Sequence, residues 1–497
     1  NEETYNNDVV SEILPGAYNC LYIGSLKGGV KELNLTSGKL RDLLLKDEDN
    51  ESIYCRTLLF ATDNELWIGT ESGAYIYNLR TGKYTHLRSS EYDPYSLSDN
   101  AIYSFCKDRE DGIWIGSYFG GVNYYPRSYT HFEKYYPKGE ENSLHGKRVR
   151  EFCRDNYGVL WIGTEDGGLN RFNLNTKEFS FFAPSAGFTN IHGLCLVDDK
   201  LWVGTFSKGL KIIDTRTGTV LKTYQKNSSP RSLIDNSIFA ICRTATGDIY
   251  LGTMFGLVKY NKQSDDFDRI PELNGKFVYD IKEDSGGNIW LATYANGAYC
   301  YNVNDRKWKN YVHDEKDTTS LSYNKVSSIF EDSYHQIWLT TQGGGFCLFH
   351  PESETFTSYN STDGLPSDVV YQIVEDKDGQ LWLTTNNGLV YFQPKTETMK
   401  VYTTANGLLG DQFNYRSSFE DENGMIYFGG IDGFIAFNPK SFSENKNLPT
   451  VVITDFLLFN KEVYADEPNS PLEKNITFSD KIVLRADQNS FSFRISA

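Results

Sequence analysis

The chain has few of the features that mark membrane, nucleic-acid-binding or helical proteins. Its 497 residues include only 3 methionines, and Lys plus Arg number 49 against 66 Asp plus Glu. The formal charge of −17 repels phosphate backbones and anionic membrane surfaces, so neither nucleic acid nor a membrane is expected as a partner of this segment. No run approaches the roughly 18 uninterrupted apolar residues of a membrane helix. The polar opening Asn1 to Asp8 lacks the apolar core of a signal peptide, so the expectation is a soluble piece of a protein. The 8 cysteines form no Cys-x-x-Cys pair, and redox compartment cannot be read from them. His86, His131, His145, His192, His313, His335 and His350 are scattered without HxH or HExxH spacing, so no metal and no cofactor is expected. A Gly-x-Ser-x-Gly elbow and a phosphate-cradling GxxxxGK are also missing.

What is abundant is aromatic. Phe, Trp and Tyr make up 15% of the chain, with 34 Tyr and 31 Phe, a composition that suits pleated surfaces. Ten times the chain repeats one phrase: apolar, aromatic, apolar, a small residue, then Thr, Ser or Gly. Its central aromatics are Tyr22, Trp67, Trp114, Trp161, Trp202, Tyr250, Trp290, Trp338, Trp382 and Tyr427, spaced 40 to 48 residues apart. A period in that range is the mark of a β-propeller, one four-stranded blade per repeat, so an all-β fold is expected.

The repeat around Trp382 reads most clearly. An inner strand over 369–375 turns at Gly379, a second strand covers 380–384, a third 389–392, and Met399 with Tyr402 marks the outer strand. Gly158, Gly286, Gly379 and Gly424 sit in the first turn, where tight hairpins need positive φ. Cys106, Cys153 and Cys242 fall eight residues before the aromatic and Cys195 seven, a slot held elsewhere by Phe330, Val374 and Phe419. These thiols therefore read as small buried hydrophobes. The recurring acidic turns, such as Glu331-Asp332 and Glu375-Asp376, read as turn formers, because a catalytic pair should break the period rather than obey it.

A second phrase precedes the inner strands, as in Pro94-Tyr-Ser-Leu97-Ser-Asp-Asn100 and Thr319-Ser-Leu321-Ser-Tyr-Asn324. Together with Glu375-Asp376-Lys-Asp-Gly379-Gln-Leu-Trp382-Leu-Thr-Thr385 and Glu165-Asp-Gly-Gly168-Leu-Asn-Arg-Phe172, this wording resembles the periplasmic propeller sensors of hybrid two-component regulators. The resemblance covers all ten repeats. Beyond them, Leu448 to Phe456 and Gln488 to Phe493 look like the opening strands of the triple-tyrosine immunoglobulin-like (Y_Y_Y) domain of such proteins. The resemblance implies a periplasmic ligand sensor whose parent is an inner-membrane histidine kinase, dimeric when intact. It further implies an oligosaccharide ligand and control of glycan-utilisation genes.

Counting back seven motifs from Tyr427 divides the chain into 1–137, the last three blades of a first propeller; 138–446, a seven-bladed ring; and 447–497, an incomplete Y_Y_Y domain. A single ten-bladed ring is the structural alternative. After Phe437 the last blade has no convincing outer strand. The stretch from Thr130 to Tyr136 could fill that place, or could equally be the outer strand of the third blade.

No enzymatic reading gains support, and this segment is expected not to be an enzyme. A polysaccharide lyase or glycosidase and a passive docking platform remain the alternatives to a sensor. Candidate ligand contacts are residues that depart from the repeat. Tyr118, Phe119, Phe206, Met254, Phe255 and Tyr294 occupy the turn after the second strand, where flat rings suit sugar faces. Arg148, Arg150, Arg231 and Arg416 could meet an anionic group, or pair with local acids.

Overall fold

The computed structural model describes residues 8–126, 132–139, 142–182, 189–442 and 451–496. Thr130, His131, Glu141 and residues 447–450, on which some sequence expectations fall, lie outside them. The chain forms a β-propeller of antiparallel sheets, with only short 3₁₀ turns besides strands among the described residues.

The repeat around Trp382 folds as Val370–Glu375, Leu381–Thr385, Leu389–Gln393 and Thr398–Tyr402, four strands hydrogen-bonded in sequence order. Its first turn depends on Gly379 at φ 74°; in the Trp290 repeat that role falls to Gly287 at φ 79°, one residue after the glycine singled out from the sequence. The closing Thr of the repeated phrase has a mechanical reason. Thr341 and Thr385 donate their hydroxyls across the second turn to Gly345 O (2.9 Å) and Gly388 O (2.7 Å), satisfying buried carbonyls.

The tryptophans join neighbouring sheets. Trp290 meets Phe349 of the following sheet edge-on at 5.1 Å, Trp338 meets Phe392 at 6.0 Å and Trp382 meets Phe437 at 4.8 Å. In the third sheet of the arc and in four sheets of the ring the indole N–H is held by the turn aspartate six residues earlier, as in Trp161 on Asp155 (2.8 Å), Trp338 on Asp332 (2.8 Å) and Trp382 on Asp376 (2.9 Å). The other oxygen of Asp376 accepts the backbone N–H groups of Asp378 and Gln380. One carboxylate thus fixes the turn and orients the ring that packs between sheets.

Seven inner strands follow one another as a closed circuit: Val149–Arg154, Ile191–Val197, Ile238–Arg243, Val278–Glu283, Val326–Glu331, Val370–Glu375 and Phe413–Glu420, the last packing against the first. The sheets they begin are numbered one to seven below. Sheet seven takes its outer strand from far upstream. Glu133–Tyr135 pairs antiparallel with Phe434–Phe437, Lys134 facing Ile435, and Tyr135 stacks on Phe434 at 4.5 Å. That pairing resolves the two places the sequence left open for this segment.

The three earlier sheets form an arc whose inner strands also adjoin in order. Among the described residues its third sheet has three strands, Ile102–Lys107, Ile113–Ser117 and Val122–Tyr125. On that sheet Trp114 is 45% exposed and Cys106 is exposed as well. This corrects the reading of Cys106 as a buried hydrophobe: it occupies the same slot as Cys153, but among the described residues no further sheet covers this one. All eight thiols are free. Tyr136 donates to Asp93 (2.5 Å), linking the segment of the clasping strand to the arc.

The described residues 451–496 belong to a separate unit. In it Val452–Leu458 pairs with Phe491–Ser496 and with Lys461–Glu462, and Phe456 is buried with Leu472 and Ile476.

Candidate functional site

Every inner strand of the ring carries a bulge at the same place. Val149 pairs with Thr164 and Glu151 with Gly163, so Arg150 between them has no cross-strand partner. The same skip isolates His192, Phe239, Tyr279, Ser327 and Tyr371, and in sheet seven it lengthens to Asn414 through Ser417. A bulge re-aims the extra side chain. Here it turns toward the axis, since residues of non-adjacent sheets meet: Tyr279 of sheet four lies 5.2 Å from Tyr415 of sheet seven.

Around this axis runs a continuous aromatic lining. Phe206 neighbours His192, whose ring lies 4.6 Å from Phe239. Phe239 contacts Phe277 at 4.5 Å, which stacks on Tyr279 (4.6 Å) and Tyr294 (5.4 Å). Tyr415 contacts Tyr279 and Tyr371.

Two arginines close the axis below. The fully buried Arg150 lies with its guanidinium 3.3 Å from the Tyr415 ring centroid, donates Nε to His192 Nδ1 (3.1 Å) and reaches the Tyr415 carbonyl. An arginine only donates, so His192 Nδ1 is an acceptor and the proton sits on Nε2, which donates to Asn190 Oδ1 (2.6 Å). Burial, reinforced by Arg150 and Arg416, pushes the His192 imidazole down to about 2, and the ring is neutral. Arg416, at φ 55°, spans to three other sheets: Asp280 (2.9 Å), Glu151 (3.4 Å), and the carbonyls of Phe239 and Tyr279. Burial pushes the Glu151 carboxyl up to about 7 against the pull of the two arginines.

Above this plug opens a cavity of about 430 Å³ lined by Lys147, Arg148, Glu165, Gln412, Asn414 and Tyr415, among others. Its lining mixes aromatic faces with amide and charged groups, the equipment for holding a polyhydroxylated ring. In the plug, Arg150 Nη2 is buried with no hydrogen-bond partner among the described residues. Among those residues no cluster of His, Cys, Asp or Glu could hold a metal.

Six of the ten residues singled out from the sequence gather at the axis of the ring or its mouth, and four lie elsewhere. Phe206, Tyr294 and Met254 join the axial lining, Met254 packing against the cluster that contains Phe239 and Tyr279. Arg150 and Arg416 form the plug, and Arg148 lines the cavity. Tyr118 and Phe119 lie on the arc, beside Tyr103, which in turn holds Arg56 at 4.7 Å. Arg231 lies apart from the axis, bound through two nitrogens to Asp266 (2.5 and 2.7 Å), and Phe255 is exposed at the end of its turn. Sequence reasoning missed His192, Phe239, Phe277, Tyr279, Tyr371 and Tyr415. For four of them a signal existed: the residue directly after the first apolar position of the inner strand changes from repeat to repeat, reading Arg150, His192, Phe239, Tyr279, Ser327 and Tyr371.

Comparison with known proteins adds to this geometry. Residues 96–119, 143–166, 272–295, 320–343 and 364–387 match the family described as two component regulator propeller. Histidine kinase P4 of Formosa agariphila is 28% identical over 316 residues, which are 61% of this chain and 23% of the kinase. The solved extracellular domain of a hybrid two component system from B. thetaiotaomicron shares 26% identity and a TM-score of 0.78 over 98% of this chain and 63% of that one. A second such domain from the same organism, at 20% identity and TM-score 0.54 over 99% of this chain and 66% of that one, shows the same fold. The chain thus spans about a quarter of the kinase and under two thirds of the first solved domain. Five segments of the chain thus match the two component regulator propeller family, on a propeller fold like that of the extracellular domains of hybrid two-component systems.

Proposed function

We propose that this chain is the ligand-sensing region of a hybrid two-component regulator, and that it binds an oligosaccharide at the mouth of the seven-sheet ring. The likeness over nearly its whole length to the extracellular domain of such a system carries the reading. The mouth supports the ligand class: Tyr415, Gln412, Asn414 and Glu165 surround a space of about 430 Å³, within the size range of small-molecule sites. The parent sits in the inner membrane with this region in the periplasm, works as a homodimer and controls glycan-utilisation genes. No helix among the described residues is long and apolar enough to cross a membrane. Signalling requires the ligand to favour one of two arrangements by about 1 to 3 kcal/mol.

The test is calorimetry against a glycan panel, with reducing-end release followed in the same samples. Binding without release, weakened at least tenfold by Gln412→Ala or Arg148→Glu, is the expected result. Release of product would favour a propeller enzyme, and silence across the panel a docking platform.

A further inference from the structure

A cavity of about 840 Å³, nearly twice that at the mouth, lies in the cleft between sheets two and three. It is lined by the turns at Asp198, Thr246 to Asp248 and Lys262 to Asp265, which join first to second and third to outer strands. It therefore faces away from the mouth, whose loops join the opposite ends of these strands.

Two departures from the repeat, both in sheet two, open it. In the other tryptophan-bearing sheets of the ring a longer turn carries the aspartate that holds the indole; here Asp198-Asp199 alone connects Ile191–Val197 to Lys200–Thr205. Leu196 stands six residues before Trp202, where the other tryptophan repeats of the ring carry Asp155, Asp284, Asp332 and Asp376. The second departure is in the outer strand. Ile212 pairs with Lys222 and Ile213 with Val220, skipping Leu221, the one bulge between third and outer strands among the described residues of the ring. In regular sheets the residue at this place packs inward: Phe356 pairs with Phe349 and is 5% exposed, whereas Leu221 is 50% exposed. A shortened hairpin and a side chain turned outward leave room above Trp202, Ile212 and Tyr260.

The rim is charged but unevenly paired. Lys222 meets Asp265, Arg243 meets Asp198 (3.3 Å), Lys259 meets Asp248 (2.7 Å), and Asp268 is taken by Arg231 from outside the cavity (3.1 Å). Lys200 and Lys262 have no ion-pair partner among the described residues. In a chain of formal charge −17 the cleft thus presents a local excess of cations above an apolar floor, with Asn261, Gln263 and Thr246 as hydrogen-bonding neighbours.

We propose that this cleft is a second binding site, separate from the mouth, for a carboxylate-bearing saccharide unit: the sugar body over the Trp202 and Tyr260 floor, its carboxylate between Lys200 and Lys262. The proposal stands independently of the mouth reading.

Digalacturonate, a glucuronate-containing disaccharide, cellobiose and acetate are titrated into the full chain, read by calorimetry and by tryptophan fluorescence. Expected is binding of at least one acidic disaccharide, at least tenfold tighter than cellobiose or acetate and weakening with added salt. The exposed double variant Lys200→Glu with Lys262→Glu should weaken it at least tenfold, and Arg148→Glu at the mouth should leave it unchanged. Equal binding of cellobiose, acetate binding as tightly as the sugar acids, loss through Arg148→Glu instead, or no response to either acid would each overturn the proposal. Cellobiose binding that only the mouth variant abolishes would speak for the mouth reading and against this one.

Discussion

His192 offers a direct test of the axial plug, because its protonation is forbidden by geometry as well as by burial. Nδ1 accepts from Arg150 and Nε2 donates to Asn190, so a second proton would face a guanidinium at 3.1 Å. A base whose native pKa is pushed from 6.5 to about 2 takes its proton only in the unfolded chain. The stability it contributes is complete above pH 6.5 and declines as pH falls toward 2, by about 1.4 kcal/mol per unit. Glu151 contributes with the opposite sign: its carboxyl, raised to about 7, favours the folded state as pH falls through 7 toward 4.5, so the total profile of the wild type mixes the two. The difference from His192→Gln isolates the histidine. Glutamine can still accept from Arg150 and donate to Asn190 but loses the ring contacts with Phe239 and Phe206, at a cost of about 2 kcal/mol at pH 7.5. Between pH 6.5 and 5 the wild type should lose about 2 kcal/mol relative to the variant, so the two stabilities should converge near pH 5. Urea unfolding followed by tryptophan fluorescence at several pH values measures this. A gap that stays constant from pH 7.5 to 4.5 would refute the neutral, doubly bonded imidazole.

Other consequences are simpler to read. Asp376→Ala removes the acceptor of the Trp382 indole and of two backbone N–H groups, and urea denaturation should show a loss of about 2 to 3 kcal/mol. Tyr135→Ala removes the ring stacked on Phe434 in the clasping strand and should cost about 3 kcal/mol, visible as earlier unfolding and faster proteolysis of the ring. Cys106 should react with a thiol reagent at neutral pH while Cys55 and Cys347, pushed up to about 12 by burial, stay protected until the protein unfolds. Rapid labelling of several thiols in the folded protein would contradict the packing of the inner strands.

The scaffold was legible because it recurs. Ten copies of one phrase fix the strand order, and the turn glycines and closing threonines each answer to a local requirement that any single repeat displays. The site was less legible because it depends on a slip in pairing. Reading Val149 to Arg154 as an alternating strand places Arg150 on one face; only the skipped partner turns it to the axis, where it meets Tyr415, 265 residues away. Arg231 shows the converse. Its departure from the repeat looked functional, yet Asp266 lies beside it across the outer strand. The placement of Glu133–Tyr135 was undecidable by pattern, since Phe132 and Tyr135 have the spacing of Met399 and Tyr402, which marks an outer strand whichever sheet it completes.

That clasping strand also sets the tempo of assembly. Glu133 must wait for Ala436, 303 residues later, before its ladder can form. At about 5 to 20 residues per second the ribosome takes roughly 15 to 60 s to deliver the missing mate. During that interval a strand with an open edge stands in the cell unescorted by its final neighbour. The short length of the strand and the charges of Glu133 and Lys134 at that edge disfavour pairing with another copy of the chain meanwhile.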